Sequence, residues 1–196
     1  MLFREICPKR STDVPVYKNY KKYRQQLSED FNHRCGYCND LDWPRKEHFE
    51  IDHFVPKDAM VDLKDNEYSN LVYSCRSCNN AKRAKWPSGD ENQSNIDNIG
   101  WLDPCSEEYG EQFERTEDGA IIPKTELGKW MYDNLKLGKT QHEYLWNIEQ
   151  LKKICDALRL KRDEHRNDTV FMNKFMDLLL AYQDKIEELG KLYILI

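Results

Sequence analysis

Four of the seven cysteines form two tight pairs, Cys35-Gly36-Tyr37-Cys38 and Cys75-Arg76-Ser77-Cys78, with 36 residues between them. Two residues between thiols let both sulfurs of a tight turn face one ion. Four thiolates about 2.3 Å from a tetrahedral Zn²⁺ make a closed structural site with no open position for substrate. Redox chemistry is the alternative for either pair, and it leaves the duplication unexplained. The loop between the pairs has little apolar content, so a metal has to close it, and structural zinc contributes about 10–16 kcal/mol of apparent binding energy to folding. Cys7, Cys105 and Cys155 have no such spacing and read as small core or surface thiols.

Inside that loop lie Glu50-Ile51-Asp52-His53-Phe54-Val55-Pro56 and Ser69-Asn70-Leu71-Val72-Tyr73, and Asn79-Asn80-Ala81-Lys82 follows the second pair directly. Phosphodiester hydrolysis needs a base for water, a cation for the charge developing on phosphorus and help for the leaving oxygen. His53, with an unperturbed pKa of roughly 6.5, is substantially neutral at about pH 7 and suits the general base. The Asp52 carboxylate and the Asn79 carbonyl oxygen are hard ligands that suit Mg²⁺ or Mn²⁺. Lys57, Lys82 and Arg83 are the cations expected to contact phosphate, with plain surface charge as the alternative for each.

The Asp-His pair with Pro56 behind it, the Asn70-Leu71 step and the Cys78-Asn79-x-x-Lys82 helix start resemble the HNH, or ββα-metal (His-Me finger), endonucleases of the four-cysteine zinc subclass. The resemblance covers residues 28–88. It implies that His53 activates water, that Asp52 and Asn79 hold the catalytic cation, and that Asn70 orients the histidine across the loop. It also implies products with 5′ phosphate and 3′ hydroxyl ends. Some relatives add a histidine one helical turn beyond the Asn79 position; Arg83 stands there in this chain, which favours Mg²⁺ or Mn²⁺ over a softer catalytic ion. Further on, Gly100 to Cys105, Gln112-Phe113-Glu114, Asp118-Gly119 and Ile121-Ile122-Pro123 look like the extension of bacterial HNH proteins of anti-phage defence. The nuclease subunit of Septu systems, which works with an ATPase partner, is of this kind.

Positioning these groups requires a strand over Phe49 to Phe54, a second apolar run at Leu71 to Tyr73, and a helix from Cys75 to about Lys85, where Trp86-Pro87-Ser88-Gly89 stops it. An amphipathic helix over Val14 to Phe31 leads in, a hairpin pairs Phe113 to Arg115 with Ala120 to Ile122, and Thr125 caps helical sequence with long segments near 141–166 and 168–190. The expected fold is mainly α, with a small ββα-metal, zinc-stabilised nuclease module and a C-terminal helical lobe. Its parts are a basic arm and helix (1–27), the nuclease module (28–88), an acidic linking lobe (89–125) and the helical lobe (126–196).

Composition fits an enzyme of this size and limits its grip on polyanions. The 196 residues are 39% hydrophobic and 12% aromatic, with no apolar stretch of membrane-spanning length and no signal-peptide pattern, so a soluble cytoplasmic protein is expected. The net charge of −5 argues against binding nucleic acid over the whole surface. Residues 1–27 are basic and residues 89–121 strongly acidic, while Arg76 to Lys85 contains no acid. DNA is the expected substrate, with a protein partner supplying part of the grip. A non-catalytic zinc-stabilised module that binds nucleic acid or protein, and an RNA-directed nuclease, are the alternatives.

Overall fold

The chain enters through an extended arm and a 3-10 turn, Tyr20–Tyr23, that runs into α1 (Arg24–Asp30). Helix begins six residues later than the periodicity from Val14 suggests. Pro15 supplies no amide donor, and Asn19 is extended and caps the turn by accepting the Lys21 N–H at 3.0 Å. Tyr23, Leu27 and Phe31 then bury one face of this segment.

The computed structural model describes residues 1–43, 45, 48–162 and 164–194, and these divide into two units, the first ending at Lys139 and the second beginning at Thr140. In the first unit, β1 (Phe49–His53) pairs antiparallel with β2 (Leu71–Cys75), setting Phe49 opposite Cys75, Asp52 opposite Val72 and His53 opposite Leu71. All five residues of β2 are buried, the expected apolar run Leu71 to Tyr73 together with Ser74 and Cys75. α2 (Arg76–Lys82) follows without a loop and stops three residues short of Lys85. Its last turn closes where Arg83 adopts a positive φ of 49° and gives its N–H to the Asn79 carbonyl.

The acidic stretch is packed rather than extended. It forms β3 (Asn95–Ile96) paired with β4 (Ile99–Gly100), α3 (Glu107–Glu111), and β5 (Phe113–Arg115) paired with β6 (Ile121–Pro123). Trp101, Tyr109 and Phe113 join the same core as Leu27, Phe49 and Tyr73. Buried Arg115 donates to the Cys38 carbonyl at 3.0 Å and pairs with Asp40 at 3.1 Å, fixing the hairpin to the first cysteine turn. α4 (Glu126–Leu135) starts at the expected cap, Thr125 accepting the Gly128 N–H at 2.9 Å. Leu127, Met131 and Leu135 sink into this core, so α4 belongs to the first unit, whereas the sequence pattern groups it with the helices that follow.

The second unit consists of α5 (Thr140–Lys161) and α6 (Thr169–Ile194) packed on each other. Leu145 and Ile148 are buried there against Tyr144, Tyr182 and Ile186. Asp163, inside the expected 141–166 segment, lies outside the described residues. No helix among the described residues is long and apolar enough to cross a membrane.

Candidate active site

The two cysteine pairs converge. One turn delivers Cys35 and Cys38, while the end of β2 and the first turn of α2 deliver Cys75 and Cys78. The four buried sulfurs all lie within 4.8 Å of one another. Cys38 and Cys75 Sγ are 3.9 Å apart, close to the roughly 3.8 Å edge of a tetrahedron with bonds of about 2.3 Å. Four sulfur donors with this spacing fit a zinc ion in a closed site.

β1 ends at the next pair of groups. Neighbouring strand residues face opposite ways, and Asp52 and His53 do so here. Asp52 turns inward, where its Oδ2 accepts the Tyr37 hydroxyl at 2.6 Å and lies 3.1 Å from the Lys82 ammonium. Burial pushes the Asp52 carboxyl above its ordinary value, against the pull of Lys82 and Tyr37. His53 turns to the other side, with Tyr20 edge-on to its ring at 4.7 Å. Its Nε2 is 2.7 Å from the Asp65 carbonyl. A carbonyl only accepts, so Nε2 carries the hydrogen and Nδ1 keeps the lone pair. Burial lowers the His53 pKa from its ordinary value and favours this neutral form.

Among the described residues, Asn70 makes no hydrogen bond to the imidazole. Its Oδ1 accepts the Val55 N–H at 2.8 Å, its Nδ2 donates to the Val55 carbonyl at 3.1 Å, and its own carbonyl accepts the Phe54 N–H at 2.8 Å. It fixes the backbone immediately after His53, a step removed from the expected contact with the ring. Asn79, in α2, gives its Nδ2–H to Glu50 at 2.8 Å, and Arg76 holds the other Glu50 oxygen at 2.8 Å.

The three expected phosphate contacts separate. Lys82 is completely buried, its ammonium 2.8 Å from the His53 carbonyl and paired with Asp52, so its position is that of an internal counter-ion and not of a surface contact. Lys57 stands half-exposed over the Tyr20 ring at 4.9 Å and pairs with Asp65 at 3.4 Å. Arg83 is exposed, with its Nε on the Asn80 carbonyl at 3.0 Å. Tyr37, Glu50 and Asp65 are the neighbours that sequence reasoning missed. Tyr37 lies inside the first cysteine pair, and Glu50 shares the Asp52 face of β1, two residues earlier, which is the pattern that points to them.

Residues 35–85 match the HNH endonuclease family model. The Septu protein PtuB of Bacillus thuringiensis is 38% identical over 56 residues, which is 29% of this chain and 21% of that protein. The matched segment thus spans about a fifth of the length of this relative. No solved structure gives a significant match. Residues 35–85 are therefore similar to the HNH endonuclease family, in a chain whose matched segment also resembles part of a Septu protein.

Proposed function

We propose that the protein is a metal-dependent HNH endonuclease that hydrolyses DNA phosphodiester bonds as the nuclease of a bacterial anti-phage defence system, acting in the cytoplasm beside an ATPase partner. The family match and the Septu relative support the class. The observation that carries the chemistry is His53. Its Nε2–H is held by the Asp65 carbonyl, its Nδ1 has no partner among the described residues, and the neighbouring Asp52 belongs to a buried polar cluster.

In this reading β1, β2 and α2 form the ββα-metal frame. Nδ1 of His53 takes one proton of a water as its oxygen attacks phosphorus, while the bond from phosphorus to the 3′ oxygen breaks on the opposite side and the departing oxygen takes its proton from solvent water. Asp65 keeps the ring in the tautomer that accepts this proton, and Asn70 holds the backbone that carries the ring. Asp52 and Asn79 are the residues that would hold Mg²⁺ or Mn²⁺, and both offer the hard oxygen donors these ions take. The bound ion supplies charge stabilisation at the phosphoryl oxygens and the leaving group. Cys35, Cys38, Cys75 and Cys78 would hold zinc, which closes the loop and does no chemistry. Lys57 and Arg83, both solvent-accessible, are the remaining candidates for backbone contacts to the substrate.

The test is cleavage of supercoiled plasmid with Mg²⁺, Mn²⁺ or EDTA, for wild type and His53→Ala, with and without the ATPase. Nicking that needs a divalent ion and vanishes in the variant is expected. Zinc-loaded wild type that cuts no DNA under any of these conditions would overturn the reading.

A further inference from the structure

α2 lies along β1 with two polar contacts in register. Glu50 and Asp52 are two residues apart on one face of the strand, about 6.7 Å along it. Asn79 and Lys82 are three apart on one face of the helix, about 5–6 Å. Glu50 takes Asn79 at 2.8 Å and Asp52 takes Lys82 at 3.1 Å, so the strand pair and the helix pair match rung for rung. Asp52 and Asn79 are therefore diagonal neighbours across these two rungs. Each has one terminal atom bound by the protein: Oδ2 of Asp52 by Tyr37 and Lys82, and Nδ2 of Asn79 by Glu50. Their other atoms, Oδ1 in both residues, have no hydrogen-bond partner among the described residues.

The direction of the amide is chemically determined. A carboxylate accepts hydrogen bonds and donates none, so only the Asn79 NH₂ can face Glu50, and the carbonyl oxygen is turned the other way. Arg76 on the second Glu50 oxygen at 2.8 Å holds that carboxylate in place. Glu50 is 34% exposed at its side chain and is no part of the buried Asp52 cluster, so it is not needed there as a core residue. We propose that Glu50 is a positioning residue that aims the Asn79 carbonyl oxygen at the catalytic divalent cation. This rests on the assignment of Asp52 and Asn79 as that cation's ligands.

A glutamine at position 50 keeps the shape but can donate a hydrogen bond, which lets the Asn79 amide turn over and present NH₂ to the cation instead of oxygen. The test is Mn²⁺ binding to zinc-loaded protein, followed by the electron paramagnetic resonance signal of free Mn²⁺, with no DNA present. Four proteins are compared: wild type, Glu50→Gln, Asn79→Ala and the double variant. Glu50→Gln should weaken Mn²⁺ binding about tenfold while zinc content and circular dichroism stay at wild-type values. In the Asn79→Ala background the same change should have no further effect, because Glu50 acts through that amide. An undiminished weakening in that background would show that Glu50 acts by its own charge and overturn the proposal. Wild-type binding in Glu50→Gln would overturn it too, leaving the cation site standing. Absence of Mn²⁺ binding by wild type would instead remove the cation site itself, and the role of Glu50 with it.

Discussion

Lys82 is the buried counter-ion of Asp52. Its Nζ lies 3.1 Å from the carboxylate Oδ2 and 2.8 Å from the His53 carbonyl, in a side chain with no solvent exposure. Burial lowers the lysine pKa and raises that of the acid, and the charges oppose both effects. One cation therefore touches both consecutive residues, Asp52 through its carboxylate and His53 through its backbone.

Lys82→Met leaves the carboxylate buried with only Tyr37 as partner. Removing one member of such a pair costs about 3–5 kcal/mol, which urea unfolding of the zinc-loaded protein should show. Adding Asp52→Asn to the lysine variant removes the stranded charge and should recover part of that loss. A lysine variant as stable as wild type would contradict the internal pairing.

His53→Ala should lower cleavage by at least about 10²-fold, the contribution expected of a positioned base. It touches no cysteine, so zinc content and fold should be retained. The informative comparison is the rate at equal zinc occupancy, because a variant that lost both metal and activity would not isolate the base.

Cys75 does two jobs. Its sulfur belongs to the four-thiol group and also caps α2, accepting the Cys78 N–H at 3.5 Å. Cys75→Ser should reduce zinc from one ion per chain and lower the melting temperature strongly, because metal binding and folding of such a loop are coupled. Metal analysis beside thermal unfolding checks this. Cys155→Ser, at the isolated thiol on α5, should leave zinc unchanged.

Asp30 ties three segments together, accepting hydrogen bonds from the Ser11 amide at 2.6 Å, the Ser11 hydroxyl at 2.7 Å, Gln26 at 2.9 Å and the Tyr68 hydroxyl at 2.6 Å. Burial alone would raise its pKa, but the bonds from Tyr68, Ser11 and Gln26 outweigh it and hold the carboxyl below its ordinary 3.8. A folded-state pKa below the unfolded one gives stability that is present above about pH 4 and fades as pH falls through the folded value. Asp30→Asn should therefore cost about 1 kcal/mol at pH 7, and the gap to wild type should close in acid. Urea titrations at pH 7 and below pH 4 test the sign.

What was legible in the sequence was local. The cysteine spacing announces a four-thiol group, and the sulfurs gather. The β1 and β2 segments, the helix after Cys75, the Phe113 to Arg115 hairpin strand and the Thr125 cap are set by alternation, turn residues and capping chemistry within a few positions. The pairings that aim the site were not legible. Glu50 meets Asn79, and Tyr37 meets Asp52, only through the register of α2 over β1 and the fold of the first cysteine turn. The position of Lys82 depends on the same register, since a lysine at a helix end reads as surface charge until a strand carboxylate is known to lie beneath it. The acidic charge of residues 89–121 likewise concealed Trp101, Tyr109 and Phe113, whose burial makes that stretch part of the core.

Tyr37 joins the cysteine turn to the candidate site. It stands between Cys35 and Cys38, is fully buried, and donates its hydroxyl to Asp52 at 2.6 Å; its own carbonyl accepts the Tyr109 hydroxyl at 2.9 Å. Burial and the Asp52 charge raise the phenol pKa far above its ordinary value, so the hydroxyl remains a donor. Tyr37→Phe removes this one bond to a charged group while keeping the ring, which should cost about 1.5–3 kcal/mol of stability. It should keep one zinc per chain and slow cleavage several-fold, because Asp52 loses one of the two donors that orient it. Tyr109→Phe should have the smaller effect on cleavage, since it loosens the Tyr37 backbone but leaves the hydroxyl on Asp52. Equal cleavage by Tyr37→Phe and wild type would mean that Lys82 alone sets the carboxylate.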